Sequence, residues 1–117
     1  MADLTLYHNP HCSKSREALA LLEARGGPMR VVAYLETPPT LDELRRFAMV
    51  VDGVVRALLR EGEPEYADRG LADLALGDEA LLAALAAHPR LLQRPLLVGA
   101  GRAVVGRPPE RVLALLD

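Results

Sequence analysis

A chain of 117 residues, half of them apolar and 26% charged, has the length and balance of one globular domain with a single hydrophobic core. Fourteen basic against sixteen acidic residues leave a formal charge of −2, and there are only one Phe, three Tyr and no Trp. That excludes both the positive field and the stacking surface of a nucleic-acid binder.

One cysteine, Cys12, excludes an internal disulfide and a multi-cysteine zinc site. Any redox cycle must therefore borrow a second thiol. The longest uncharged apolar stretch on an expected helix, 80–87, is far short of the roughly 20 residues that a membrane span requires, so no membrane partner is expected. The opening Met-Ala-Asp-Leu-Thr-Leu-Tyr shows no positive segment followed by an apolar one, and the cytoplasm is the expected compartment.

Leu4-Thr5-Leu6-Tyr7 alternates apolar and polar residues as a strand does, and His8-Asn9-Pro10 breaks it. From Ser13 onward Ala18, Leu19 and Leu22 recur at helical spacing until Gly26-Gly27-Pro28 supplies a stop. Cys12 thus stands where a strand hands over to a helix. Arg30 to Leu35 reads as a second strand, expected to lie parallel to the first through a right-handed crossover, a βαβ unit.

Thr40-Leu41-Asp42-Glu43 has the form of a capping box and opens a helix to about Val51. Val54 to Arg60 gives a short helical stretch ending at Gly62, and Glu63 to Gly77 is polar and interrupted by Pro64, Gly70 and Gly77, so the middle third is helical and loop-rich. Asp78 is the expected cap of a helix that aligns Leu81, Leu82 and Leu85 and stops at His88-Pro89. The period then changes. Leu96-Leu97-Val98 and Arg102-Ala103-Val104-Val105 flank Gly99-Ala100-Gly101 as a hairpin, and Pro108-Pro109 open a final helix through Val112, Leu113 and Leu116. The order is β-α-β, helices, β-β-α, in one α/β domain over 1–117 with no repeat or linker to divide it.

The cysteine lies in "YHNPHCSKSRE", a polar segment unlike the apolar setting of an inert core thiol. A thiolate is the nucleophile, and an ordinary thiol near pKa 8.5 is mostly protonated at neutral pH. At a helix start, the unpaired N–H groups of Ser13 to Ser15 and the helix dipole favour the anion. Lys14 and Arg16 are expected to add positive charge, and His8 to hydrogen-bond or pair with the sulfur. His8, His11 and Cys12 lack an obvious fourth ligand, so no metal is expected. Serine at residue 15 rules out a Cys-x-x-Cys dithiol, and alanine at residue 18 disfavours a phosphatase-like loop with arginine six places after the nucleophile.

These elements, with "YHNPHCSKSRE", "YLETPPT", "RALLR", "HPRLLQRPLLV" and "VGRPPE" in this order, resemble the glutaredoxin-dependent arsenate reductase family of the thioredoxin-like superfamily. The "CSKSR" form is closest to its SKSR-type branch. The resemblance implies a thioredoxin-like fold, βαβ plus ββα with a helical insertion and a four-stranded mixed sheet. It implies Cys12 as catalytic nucleophile assisted by His8, Arg60, Arg94 and Arg107 as anion-binding residues, and a cis Pro95 facing the cysteine. It also implies arsenate or a similar oxyanion as substrate, no bound cofactor, glutathione as co-substrate and glutaredoxin as partner. Two alternatives share the fold: a glutathione-linked thiol reductase of another substrate, which would not need the arginines, and a non-catalytic regulatory adaptor. Adaptors of that kind usually carry the Cys-x-x-Cys switch that Ser15 abolishes.

Overall fold

The computed structural model describes residues 4–26, 28–51, 54–99 and 101–116. Residues 1–3 of the opening segment, Gly27 of the helix stop and Ala100 of the hairpin turn lie outside the described residues. Strand β1 (Leu4–His8) leads into helix α1 (Ser13–Arg25) and then strand β2 (Met29–Ala33), which pairs parallel with β1 as expected for a crossover unit. Helix α2 (Leu41–Val50), a 3₁₀ segment Val55–Leu58, helix α3 (Pro64–Asp68) and helix α4 (Asp78–Ala87) follow. Strands β3 (Leu96–Gly99) and β4 (Arg102–Val105) then form the antiparallel hairpin, and the described chain closes on a 3₁₀ helix, Pro109–Leu115.

The described residues build a four-stranded mixed sheet in the order β2-β1-β3-β4. Alternation along the strands divides the core between its two faces. Leu6 and Leu97, paired across β1 and β3, pack with Ala18 and Leu22 of α1 and with Val112. Their neighbours Tyr7 and Leu96 join Leu44, Phe47, Leu82 and Leu85 on the opposite side, under α2 and α4. Tyr7 and Phe47 meet as tilted rings with centroids 5.1 Å apart. No helix among the described residues is long and apolar enough to cross a membrane.

The capping box forms as read: Glu43 N–H donates to Thr40 Oγ1 at 3.1 Å, and Thr40 N–H to Glu43 Oε1 at 2.9 Å. Helix α1 ends where Gly26 takes φ +75° and donates its N–H to Glu23 O. Three local readings need correction. Strand β2 occupies 29–33 and not 30–35, because Glu36 and Thr37 N–H both turn back to Ala33 O and end the extended run. Gly77, and not Asp78, is the cap of α4; Asp78 instead occupies the first turn, where its charge suits the helix dipole. Within the polar segment Glu63–Gly77 lies the short α3, whose Pro64 sits in the first turn, where a missing N–H costs nothing. The final helix is 3₁₀.

Candidate active site

Cys12 is the N-cap residue of α1, in extended conformation, with its N–H donated to Asn9 O and its carbonyl accepting from Arg16 N–H. This turns the side chain across the open end of the helix, partly exposed. Burial pushes the Cys12 thiol pKa up, but the backbone N–H of Ser15, the Arg94 guanidinium and the backbone N–H of Lys14 outweigh it and hold the thiol below its ordinary value. Arg107 Nη2 reaches Sγ at 3.7 Å. The site is a thiolate seat made from one helix terminus and two guanidinium groups.

The cations differ from those expected nearby in sequence. Lys14 faces Glu17 at 3.6 Å on the exposed side of the helix, and Arg16 donates to Pro10 O at 2.8 Å. A helical step of two or four residues from the N-cap carries these side chains outward. Arg94 and Arg107 arrive instead from the far end of the chain.

His8 is also placed differently. Its Nδ1 lies 2.6 Å from Ser15 Oγ, both groups being buried, and Ser15 Oγ accepts the Asn9 N–H at 3.0 Å. Burial, then the charge of Arg16, lowers the His8 pKa. A neutral ring with its proton on Nε2 accepts the Ser15 hydroxyl at Nδ1. The contact expected between His8 and the sulfur is therefore replaced by one with Ser15, which in turn braces the loop that carries Cys12. The sequence points to the Ser15 backbone N–H and to the absence of a second cysteine there, but not to a role for the Ser15 hydroxyl. Its spacing from Ala18 and Leu22, three and then four residues along one buried helix face, was the available signal.

Backbone bonds gather the arginine segments. Arg60 N–H donates to Leu91 O at 2.7 Å and Gln93 N–H to Leu58 O at 2.7 Å, tying the Arg60 segment to the one that carries Arg94. Gly106 N–H donates to Pro95 O at 2.8 Å, and Arg107 Nε donates to Arg94 O at 2.9 Å. The Arg94–Pro95 bond is cis, as the resemblance implied, and Arg107–Pro108 is cis as well.

Burial, then the charge of Arg94, lowers the Arg60 pKa; Glu63 opposes this and Arg107 adds to it, so the three guanidinium groups share one field. Arg60 itself is turned toward Glu63 rather than toward the sulfur. Glu63 is the second residue that the sequence reading missed. Its carboxylate pairs with Arg60, lies 3.7 Å from Arg94 Nη1 and accepts from Arg90 Nη2 at 3.2 Å. A turn, with Glu63 N–H toward Arg60 O at 3.4 Å, brings the two together, and helical spacing gives no signal of it. Among the described residues no group of three or more His, Cys, Asp or Glu is arranged to hold a metal ion.

A mixed four-stranded sheet with a lone thiol at the first strand-to-helix turn and a cis proline opposite in sequence defines a thioredoxin-like protein of the single-cysteine kind. The ArsC family model matches residues 7–115, and the chain belongs to that family. It is 45% identical over 117 residues to the arsenate reductase of Neisseria meningitidis serogroup A, a match spanning 99% of this chain and 100% of that one. It is also 45% identical over 112 residues to Escherichia coli "Uncharacterized protein YfgD", spanning 95% and 94%. A solved structure, the arsenate reductase from Vibrio cholerae, superposes with a TM-score of 0.86 at 48% identity, covering 96% of each chain.

Proposed function

We propose that this protein is an arsenate reductase in which Cys12 is the nucleophile, Arg60, Arg94 and Arg107 bind the oxyanion, and His8 acts through Ser15 with Pro95 shaping the site. The observation that carries the reading is the pair of guanidinium groups at the sulfur, Arg107 at 3.7 Å and Arg94 lowering the thiol pKa. A thiol reductase of uncharged disulfides has no use for such a clamp. Arsenate, with about two negative charges at neutral pH by analogy with phosphate, does. The relatives named as arsenate reductases support the same substrate class.

The Cys12 thiolate attacks arsenic(V), and one oxygen departs as water after protonation, leaving a sulfur–arsenic bond. The arginines bind the remaining oxygens bidentately and stabilise charge that redistributes over them as the bond forms. Arsenic(V) then takes two electrons from two external thiols, which leave joined as a disulfide. Hydrolysis of the Cys12–arsenic(III) bond releases arsenite and restores the thiolate. Glutathione supplies the first external thiol and glutaredoxin the second, because this chain has no other cysteine. A lone free thiol also suits a reducing compartment, and the cytoplasm is the proposed location.

The test is arsenite formation by the purified chain with glutathione and glutaredoxin. Turnover is expected with both present, none with Cys12→Ser, and none without an external thiol. Exposure to oxidised glutathione should add one glutathione per chain, at Cys12, by intact mass. Repeated turnover without any added thiol would overturn the borrowed-thiol mechanism.

A further inference from the structure

Two buried side-chain donors in this region lack an acceptor: the Tyr34 hydroxyl and Arg94 Nε–H. Tyr34 stands just past the end of β2, has 0% exposure, and lines with Asn9, Glu63, Arg90 and Arg94 a cavity of about 160 Å³. Native proteins rarely leave a buried hydroxyl unmatched, because nothing repays the water it gives up. Burial pushes the Tyr34 pKa up against the pull of Arg94, Arg60 and the Asn9 side chain, so the group remains a protonated donor with those residues around it.

None of its neighbours supplies the acceptor. Guanidinium groups only donate. Asn9 Oδ1 already accepts His11 N–H at 3.0 Å. The Glu63 carboxylate is engaged by Arg60, Arg90 and Arg94. Two unmatched donors in a pocket lined by Arg90 and Arg94 call for an anion with several oxygens, and two of the arginines that would bind arsenate, Arg60 and Arg94, act on Tyr34.

We propose that Tyr34 is a further substrate-binding residue, whose hydroxyl donates, beside Arg94 Nε, to an oxygen of the bound oxyanion. This rests on the arsenate reading above. Unlike a guanidinium, the phenol adds a hydrogen bond without adding charge, so it requires an oxygen lone pair in the right place and is insensitive to salt. It also favours an unprotonated oxygen, and so the dianion.

The experiment compares Tyr34→Phe with its parent, both carrying Cys12→Ser to prevent chemistry, by calorimetric titration with arsenate and by melting in the absence of anion. Loss of a hydrogen bond to a charged ligand should weaken arsenate binding roughly 10- to 100-fold. Because the hydroxyl proton has no acceptor in the free protein, the anion-free melting temperature should be unchanged or higher. A merely structural hydroxyl gives the opposite pattern, a lower anion-free melting temperature with arsenate affinity within about twofold of the parent, and either of those results overturns the proposal. If the parent itself binds no arsenate, the substrate reading falls and takes this inference with it; if the parent binds and the variant binds equally, only the role of Tyr34 falls.

Discussion

Arg107 Nη2 and Cys12 Sγ lie 3.7 Å apart although 95 positions separate them in the chain. The contact joins the segment just before the closing 3₁₀ helix to the N-cap of α1. With Arg94 beside the same sulfur, it holds the thiol pKa below its ordinary value against the effect of burial. Alkylation of Cys12 should therefore show a pH midpoint below about 8.5. Arg94→Ala and Arg107→Ala should each raise it, and Arg102→Ala on the hairpin should leave it unchanged. The linkage runs in one direction: the thiolate's contribution to stability is present above the unfolded value and is lost as pH falls through the folded midpoint. A wild-type midpoint at or above 8.5 would contradict the site as described.

Ser15 and His8 make a different prediction, of stability rather than reactivity. Ser15→Ala strands the buried Asn9 N–H and His8 Nδ1, a loss of about 1–3 kcal/mol, which should lower the melting temperature by ~4 °C or more. The Ser15 N–H that stabilises the thiolate belongs to the backbone and remains. His8 is buried with a lowered pKa, so its contribution is present above the unfolded value near 6.5 and is lost as pH falls through its folded value. Thermal melts between pH 5 and 7 should show that loss, and His8→Asn should flatten it.

Glu63 competes with any incoming anion for Arg60 and Arg94. Glu63→Gln leaves clustered guanidinium groups without their counter-charge, which should cost about 1.5–3 kcal/mol at low salt. Added arsenate or sulfate should then raise the melting temperature more than it does in wild type, because the anion replaces the missing carboxylate. Equal anion-induced shifts in the two proteins would show that Glu63 does not occupy the clamp.

Gly106 is held to a hydrogen atom by its surroundings. A Cβ there would meet Pro95 Cγ at 2.7 Å and Val112 Cγ1 at 2.8 Å. Gly106→Ala should cost about 1–3 kcal/mol from overpacking and should also displace the proline that follows Arg94 and the backbone that precedes Arg107. Denaturant melts would measure the first effect. A fall in kcat/KM for arsenate of roughly tenfold or more would measure the second, and full activity in a destabilised variant would separate the packing from the clamp.

Much of this was legible in local chemistry. The alternation of Leu4 to Tyr7, the Thr40–Glu43 capping box and the glycine stop at Gly26 specify their own elements, because the groups they satisfy lie within a few residues. The position of Cys12 at a helix start followed from the same reasoning. Short segments such as 55–58 and 109–115 were read as helical but not as 3₁₀, since one hydrogen bond of difference leaves no mark in hydrophobic spacing. Which groups serve the thiol could not be read locally at all. Lys14 and Arg16 are close in sequence but the helix turns them to solvent, whereas the hairpin and the bonds from Arg60 to Leu91 and Gly106 to Pro95 bring distant arginines inward. Likewise, a pattern of residue types states that His8, Ser15, Tyr34 and Glu63 exist. Only close packing decides that His8 meets Ser15, that Glu63 spans three arginines, and that the Tyr34 hydroxyl is enclosed without a partner, because burial and charge pairing depend on what the rest of the chain places around each group.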